Sequence, residues 1–166
     1  MKWTFEEYLK EAEKTADYVN SDYPVVSYYE EVGELIGKLS KGWLRGDYVI
    51  VKEKPTDESV KYILAAEILK ELGDICWMQA LTIKEGFSSR PDFVSFNSCK
   101  VIVSNSQCID AVLSLINCRS LNYVFETIEI IANYFGSSLD EVLTMNIEKL
   151  KSRKERGVIK ANGDNR

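Results

Sequence analysis

Apolar positions recur every three to four residues along most of the chain, in blocks separated by short polar stretches. That period is the pattern of amphipathic helices, not of strands. Phe5, Tyr8, Leu9, Ala12 and Ala16 fall on one side of a helix predicted over Phe5 to Val19, with Thr4 as N-cap and Glu7 as capping-box partner. Asn20-Ser-Asp22 breaks it, and Tyr23-Pro24 leads into a second helix, Val25 to Lys41, ended by Gly42-Trp-Leu-Arg-Gly46. Residues 46–58 read as a charged loop with a strand-like run at Tyr48 to Val51. Thr56 or Asp57 caps a long helix, Glu58 to Glu85, closed by Gly86. Arg90-Pro91 and Asn97-Ser98 mark turns, and Val101 to Val103 is too short a run to assign. Further helices are predicted over Ser106 to Cys118, capped by Ser104 or Asn105, and over Leu121 to Phe135, ended by Gly136. Ser138, with Glu141 three residues on, opens a last helix, Leu139 to Arg153, packed through Leu143 and Leu150. The expected fold is all-α, a helical bundle. Similar text closes the third and fifth helices, Glu85-Gly-Phe-Ser-Ser89 and Tyr134-Phe-Gly-Ser-Ser138, a weak sign of a partial duplication.

Two of these helices carry acids in unusual places. The second contains YEEVGELIGKLSK, Tyr29 to Lys41, and the third contains KELGDICW, Lys70 to Trp77. Glu31 and Glu34, and again Glu71 and Asp74, stand three apart and are neighbours on the helix surface. Glu71 and Asp74 share an arc with Leu64, Ile68, Ile75 and Met78, while Glu31 and Glu34 flank Tyr28 and Leu35. Those arcs are the expected buried faces, where a carboxylate must be protonated, paired or bound to metal. Four carboxylates on two packed helices repel one another unless a hard, oxygen-seeking cation lies between them. Mg²⁺ is the expected cofactor, with Mn²⁺ as a substitute. Each acid taken alone also reads as a salt-bridged surface group, and Glu30 points away from the others.

Four cationic or polar groups join the candidate set. Lys38 follows Glu34 by four residues, so a salt bridge along the helix accounts for it as well as a phosphate contact does. Asn146, Lys149 and Arg153 lie on a single face of the last helix. They read either as a polar surface stripe or as substrate-binding groups, with Lys149 and Arg153 on phosphate and Asn146 on a polar edge. Trp77 and Trp43 suit base stacking, but packing explains them better.

The ordered pair of motifs, Glu31-Val-Gly-Glu34 then Glu71-Leu-Gly-Asp74, resembles the MazG-like all-α nucleotide pyrophosphohydrolases. So do the opening FEEYLKEAEKTADY and the tail MNIEKLKSRKERGVIKANGDNR, Met145 to Arg166, although Ala161 stands where such tails carry glycine. The resemblance spans residues 5–86 and 121–166, and residues 87–120 stand outside it as an insertion in a single domain covering 1–166. It implies Mg²⁺-dependent hydrolysis of a nucleoside triphosphate to monophosphate and pyrophosphate, in a homodimer or higher homo-oligomer. Glu31, Glu34, Glu71 and Asp74 would hold the metal and Glu34 would be the base. Lys38, Asn146, Lys149 and Arg153 would bind substrate. A dUTP-preferring diphosphatase is the near alternative. A helical interaction module with a decayed site, using 87–120 as its partner surface, is the distant one.

Composition narrows the field. The chain has 166 residues, 45% hydrophobic, enough for a real core. Its net charge of −5 argues against broad nucleic-acid binding. There is no histidine, so zinc sites and imidazole acid–base schemes are poorly supported. Cys76, Cys99, Cys108 and Cys118 show no CxxC spacing and are expected to be free thiols in a reducing compartment. MKWTFEEY lacks the apolar core of a signal peptide, and no apolar run is long enough to span a membrane, so a cytoplasmic location is expected.

Overall fold

The computed structural model describes residues 2–45, 58–88, 103–117 and 123–157. Among them the protein is all-helical: α1 Phe5–Thr15, α2 Tyr23–Arg45, α3 Glu58–Lys84, α4 Asn105–Asn117, α5 Val124–Tyr134 and α6 Leu139–Glu155. No helix is long and apolar enough to cross a membrane among the described residues.

The predicted caps form. Thr4 accepts from the Glu7 amide, and Glu7 returns a bond to the Thr4 amide. Ser138 and Glu141 do the same at the start of α6. Ser104 pairs in the same manner with Gln107 at the start of α4. Gly86 and Gly136 follow α3 and α5 with φ of +82° and +77°, a conformation that costs other residues a Cβ clash.

α3 is the axis of the bundle. It packs against α2, α6, α1 and α5. Ile68, Leu72, Ile75, Cys76, Met78, Ala80, Leu81 and Ile83 are all buried, on every side of the helix. From Glu71 to Ile83 no side chain is exposed, which is why the apolar residues there show no single stripe. Each fully buried Leu or Ile contributes about 1.5–3 kcal/mol. Two buried carboxyl-bearing turns in such a helix are therefore costly and call for compensation.

Several boundaries shift from expectation. α1 stops at Thr15 instead of Val19, because Ala16 is extended and Tyr18 turns back onto the bundle. There the Tyr18 hydroxyl donates to Glu85 at 2.7 Å and its ring stacks on Tyr23. The Lys154 ammonium donates to the Lys14 carbonyl and caps the shortened end. α2 begins two residues early, since proline is tolerated in a first helical turn. It also runs through Gly42 to Arg45.

The segment read as an insertion contains α4, which is integrated into the bundle. Cys108, Ala111, Val112 and Leu115 are buried, α4 packs on α5 and α2, and the Tyr28 hydroxyl donates to the Leu115 carbonyl at 3.3 Å. Leu143 and Leu150 pack α6, as expected, and Cys76 and Cys108 are free and buried. The run Tyr48 to Val51, the caps Thr56 and Asp57, the turns at 90–98, Cys99, Cys118, the Gly163–Arg166 tail and the side chains of Trp43 and Leu64 lie outside the described residues.

Candidate functional site

The eight residues singled out from sequence come from three helices. α2 supplies Glu31, Glu34 and Lys38, α3 supplies Glu71 and Asp74, and α6 supplies Asn146, Lys149 and Arg153. α3 packs against both of the others, and its buried acids face each of them.

On the α2 side, one carboxylate oxygen each from Glu31, Glu34 and Glu71 lies within 4.8 Å of the other two. Glu71 is buried, at 7% exposure. Its Oε1 accepts from the Lys38 ammonium at 2.5 Å, while its Oε2 is buried with no hydrogen-bond partner. Leaving such an oxygen bare costs about 1–3 kcal/mol or more, so the site is built for a further positive group. Glu31 is half-buried. Burial first, then the charges of Asp74, Glu71 and Glu34, push its carboxyl up to about 8, with Lys149 opposing. The donor set is three carboxylates with no nitrogen or sulfur, the chemistry of Mg²⁺ or Mn²⁺ and not of soft metals. The residues present thus fit a hard divalent cation at Glu31, Glu34 and Glu71.

On the α6 side the arrangement differs from the sequence expectation. Asp74 stands outside that close group of three. Its Oδ1 accepts from Asn146 Nδ2 at 3.0 Å, and its Oδ2 accepts from the Lys149 ammonium. Burial raises the Asp74 carboxyl above its ordinary range, against the pull of Lys149 and Arg153. Asn146 is buried, not part of a surface stripe, and its Oδ1 accepts from the Tyr8 hydroxyl at 3.0 Å. Lys149 and Arg153 are half-buried one turn apart. Lys38 crosses from α2 to pair with Glu71 on α3. Trp77 packs, as expected: it is half-buried and donates to the Ala12 carbonyl at 3.3 Å. Glu30 is exposed.

Two contributors escaped the sequence reading. Tyr8 looked like one more apolar-face residue. Gly73, between the two acids of α3, has a spatial role: a Cβ placed on it would lie 2.9 Å from the Asn146 Cβ. The missing side chain lets α6 come close enough for Asn146 to reach Asp74. Gly73→Ala gains about 1 kcal/mol of helix propensity but forces α3 and α6 apart. Overpacking of that kind costs about 1–3 kcal/mol. We expect a net loss of stability in urea unfolding and disruption of the Asn146–Asp74 bond. A variant as stable as the parent would show that the close approach is not needed.

Comparison of the chain with protein-family models, curated proteins and solved structures finds no match.

Proposed function

We propose that the protein is a Mg²⁺-dependent nucleoside triphosphate pyrophosphohydrolase. The observation that carries this reading is the convergence of Glu31, Glu34 and Glu71 around a buried, unsatisfied Glu71 oxygen. Cations on α6 stand on the other side of α3 acids. An acidic site beside basic side chains suits a substrate that carries both phosphates and a metal.

Glu31, Glu34 and Glu71 would hold the cation, which when bound neutralises phosphate charge and lowers the pKa of a bound water. Lys149 and Arg153 offset charge developing on the phosphates, Arg153 with a fork suited to bidentate contact and Lys149 as a point charge. Lys38 pairs with Glu71 Oε1, which would leave Oε2 for the cation. The chain has no histidine, so a carboxylate is the base, and we assign that role to Glu34. Water adds to the α-phosphorus and its proton passes to Glu34. The α–β anhydride bond breaks, leaving monophosphate and pyrophosphate.

The test is a panel of ribo- and deoxyribonucleoside triphosphates incubated with Mg²⁺, with products separated by ion exchange. Monophosphate and pyrophosphate are the expected pair. Orthophosphate with a diphosphate would overturn the assigned bond, and no turnover of any nucleotide would overturn the reading.

A further inference from the structure

We propose that Tyr8 is a positioning residue: acting through Asn146, it fixes the Asp74 carboxylate as the seat of Lys149, and so presents that ammonium to the phosphates of a bound nucleotide. This rests on the reading of the site given above.

The core holds the Tyr8 ring. Tyr8 is fully buried, edge-on to Trp3 at 6.0 Å and to Phe125 at 6.4 Å between ring centroids. Its hydroxyl reaches Asn146 Oδ1 at 3.0 Å. Burial, with the charge of Asp74 nearby, raises the phenol well above its usual range, so it stays protonated and can donate. The direction of each bond then follows. A carboxylate only accepts, so the amide NH₂ of Asn146 must face Asp74 and its oxygen must face Tyr8. A hydroxyl donating to that oxygen locks the amide in this orientation. With Asn146 on Oδ1, Asp74 has Oδ2 left for Lys149, which occupies it. Both oxygens are thus engaged. Gly73 supplies independent support. The chain forgoes a side chain at the one point where α6 must approach for this contact.

The rival account makes Tyr8 only a core filler. Tyr8→Phe separates the two, because it keeps the ring and removes the hydroxyl. We would measure, on the full chain, kcat and KM for Mg²⁺-nucleotide hydrolysis, Mn²⁺ affinity, and the ¹⁵N signal of the Lys149 ammonium. Loss of the relay weakens one charge-assisted contact, so KM should rise about tenfold. The change in kcat should be smaller, Mn²⁺ affinity should stay within about twofold, and the Lys149 signal should broaden through faster exchange with water. Asn146→Ala should act alike, and adding Tyr8→Phe to it should bring no further loss. An unchanged KM and Lys149 signal, with only a lower melting temperature, would leave Tyr8 a core residue and overturn the proposal. A large loss of Mn²⁺ affinity would also overturn it, by tying Tyr8 to the metal site instead of to Lys149. If Tyr8→Phe does not fold, Asn146→Ala is judged by the same criteria. If the wild-type chain hydrolyses no nucleotide, the functional reading fails, and the Lys149 signal alone still decides whether the relay exists.

Discussion

Glu71→Gln is expected to abolish nucleotide hydrolysis and to remove the stabilisation that millimolar Mg²⁺ should confer on the wild-type chain. Glu71 is the most buried acid of the three, and its Oε2 is the polar atom left bare. A cation that binds only the folded state raises stability by about 2.7 kcal/mol at one hundred times its dissociation constant. For a domain of this size that is roughly 5–10 °C in melting temperature. Glutamine keeps the shape but surrenders the charge, and it places an NH₂ donor where a lone pair faced the cation. The metal-free variant should be no less stable in the three-acid cluster itself, because one repulsive charge is gone. It does forfeit the Lys38 ion pair, so its melting temperature should stay close to that of the metal-free parent. Differential scanning calorimetry with and without Mg²⁺, together with turnover, reads both effects. Full wild-type turnover in excess EDTA would sink the metal assignment, whatever the variant does.

The metal-free protein should lose stability as pH rises from about 5 to about 8.5, and saturating Mg²⁺ should remove most of that slope. Glu31 carries the effect. Burial and the neighbouring Asp74, Glu71 and Glu34 lift its folded-state value from 4.5 to about 8, with Lys149 alone opposing among the causes. Between those values the folded state keeps a proton that the unfolded state has released. Stability therefore falls with pH across the window, and the whole cost is present above pH 8. Its size is on the order of a few kcal/mol, less than the bare shift implies, because Glu31 is partly solvated. Asp74 and Glu129 are raised as well, so each contributes with the same sign above its unfolded-state value. Glu7 and Glu11 are lowered, but they act below pH 4.5, outside this range. The chain has no histidine, so the window is free of imidazole titration. A bound divalent cation holds Glu31 ionised in the folded state and cancels the difference. Urea unfolding at pH 5.5, 7 and 8.5, with EDTA or with Mg²⁺, is the measurement. A flat profile in EDTA would show that Glu31 is ionised at neutral pH and that the cluster is looser than described here.

Both expectations depend on the way two helices meet, and the sequence carried much of that. The period of apolar residues located every described helix. Capping boxes at Thr4 and Ser138 fixed two starts closely, because a cap depends on residues three apart in the chain. The end of α1 was not legible, because it depends on Tyr18 reaching Glu85, far along the chain. The acids were legible as pairs for a related reason. Glu31 with Glu34, and Glu71 with Asp74, are local patterns whose burial follows from the apolar residues around them.

What the sequence by itself determined is the set of helices, their buried faces and the four acids on those faces, all consequences of spacing within one element. What only the tertiary structure decided is which groups those acids meet. Three glutamates gather on the α2 side of α3, and Asp74 goes to Asn146 and Lys149 on the α6 side. Asn146 and Lys149 could be read as a surface stripe as well as binding groups, because a helix pattern records angle and not the depth of the neighbour that covers it. Their burial follows from how closely α6 lies against α3, and that distance is set by the absent side chain at Gly73. Lys38 likewise had an adequate partner within its own helix, and only the packing of α2 on α3 gave it Glu71. Contacts between residues this far apart in the chain leave no local signal, since their energy exists only once the helices have packed.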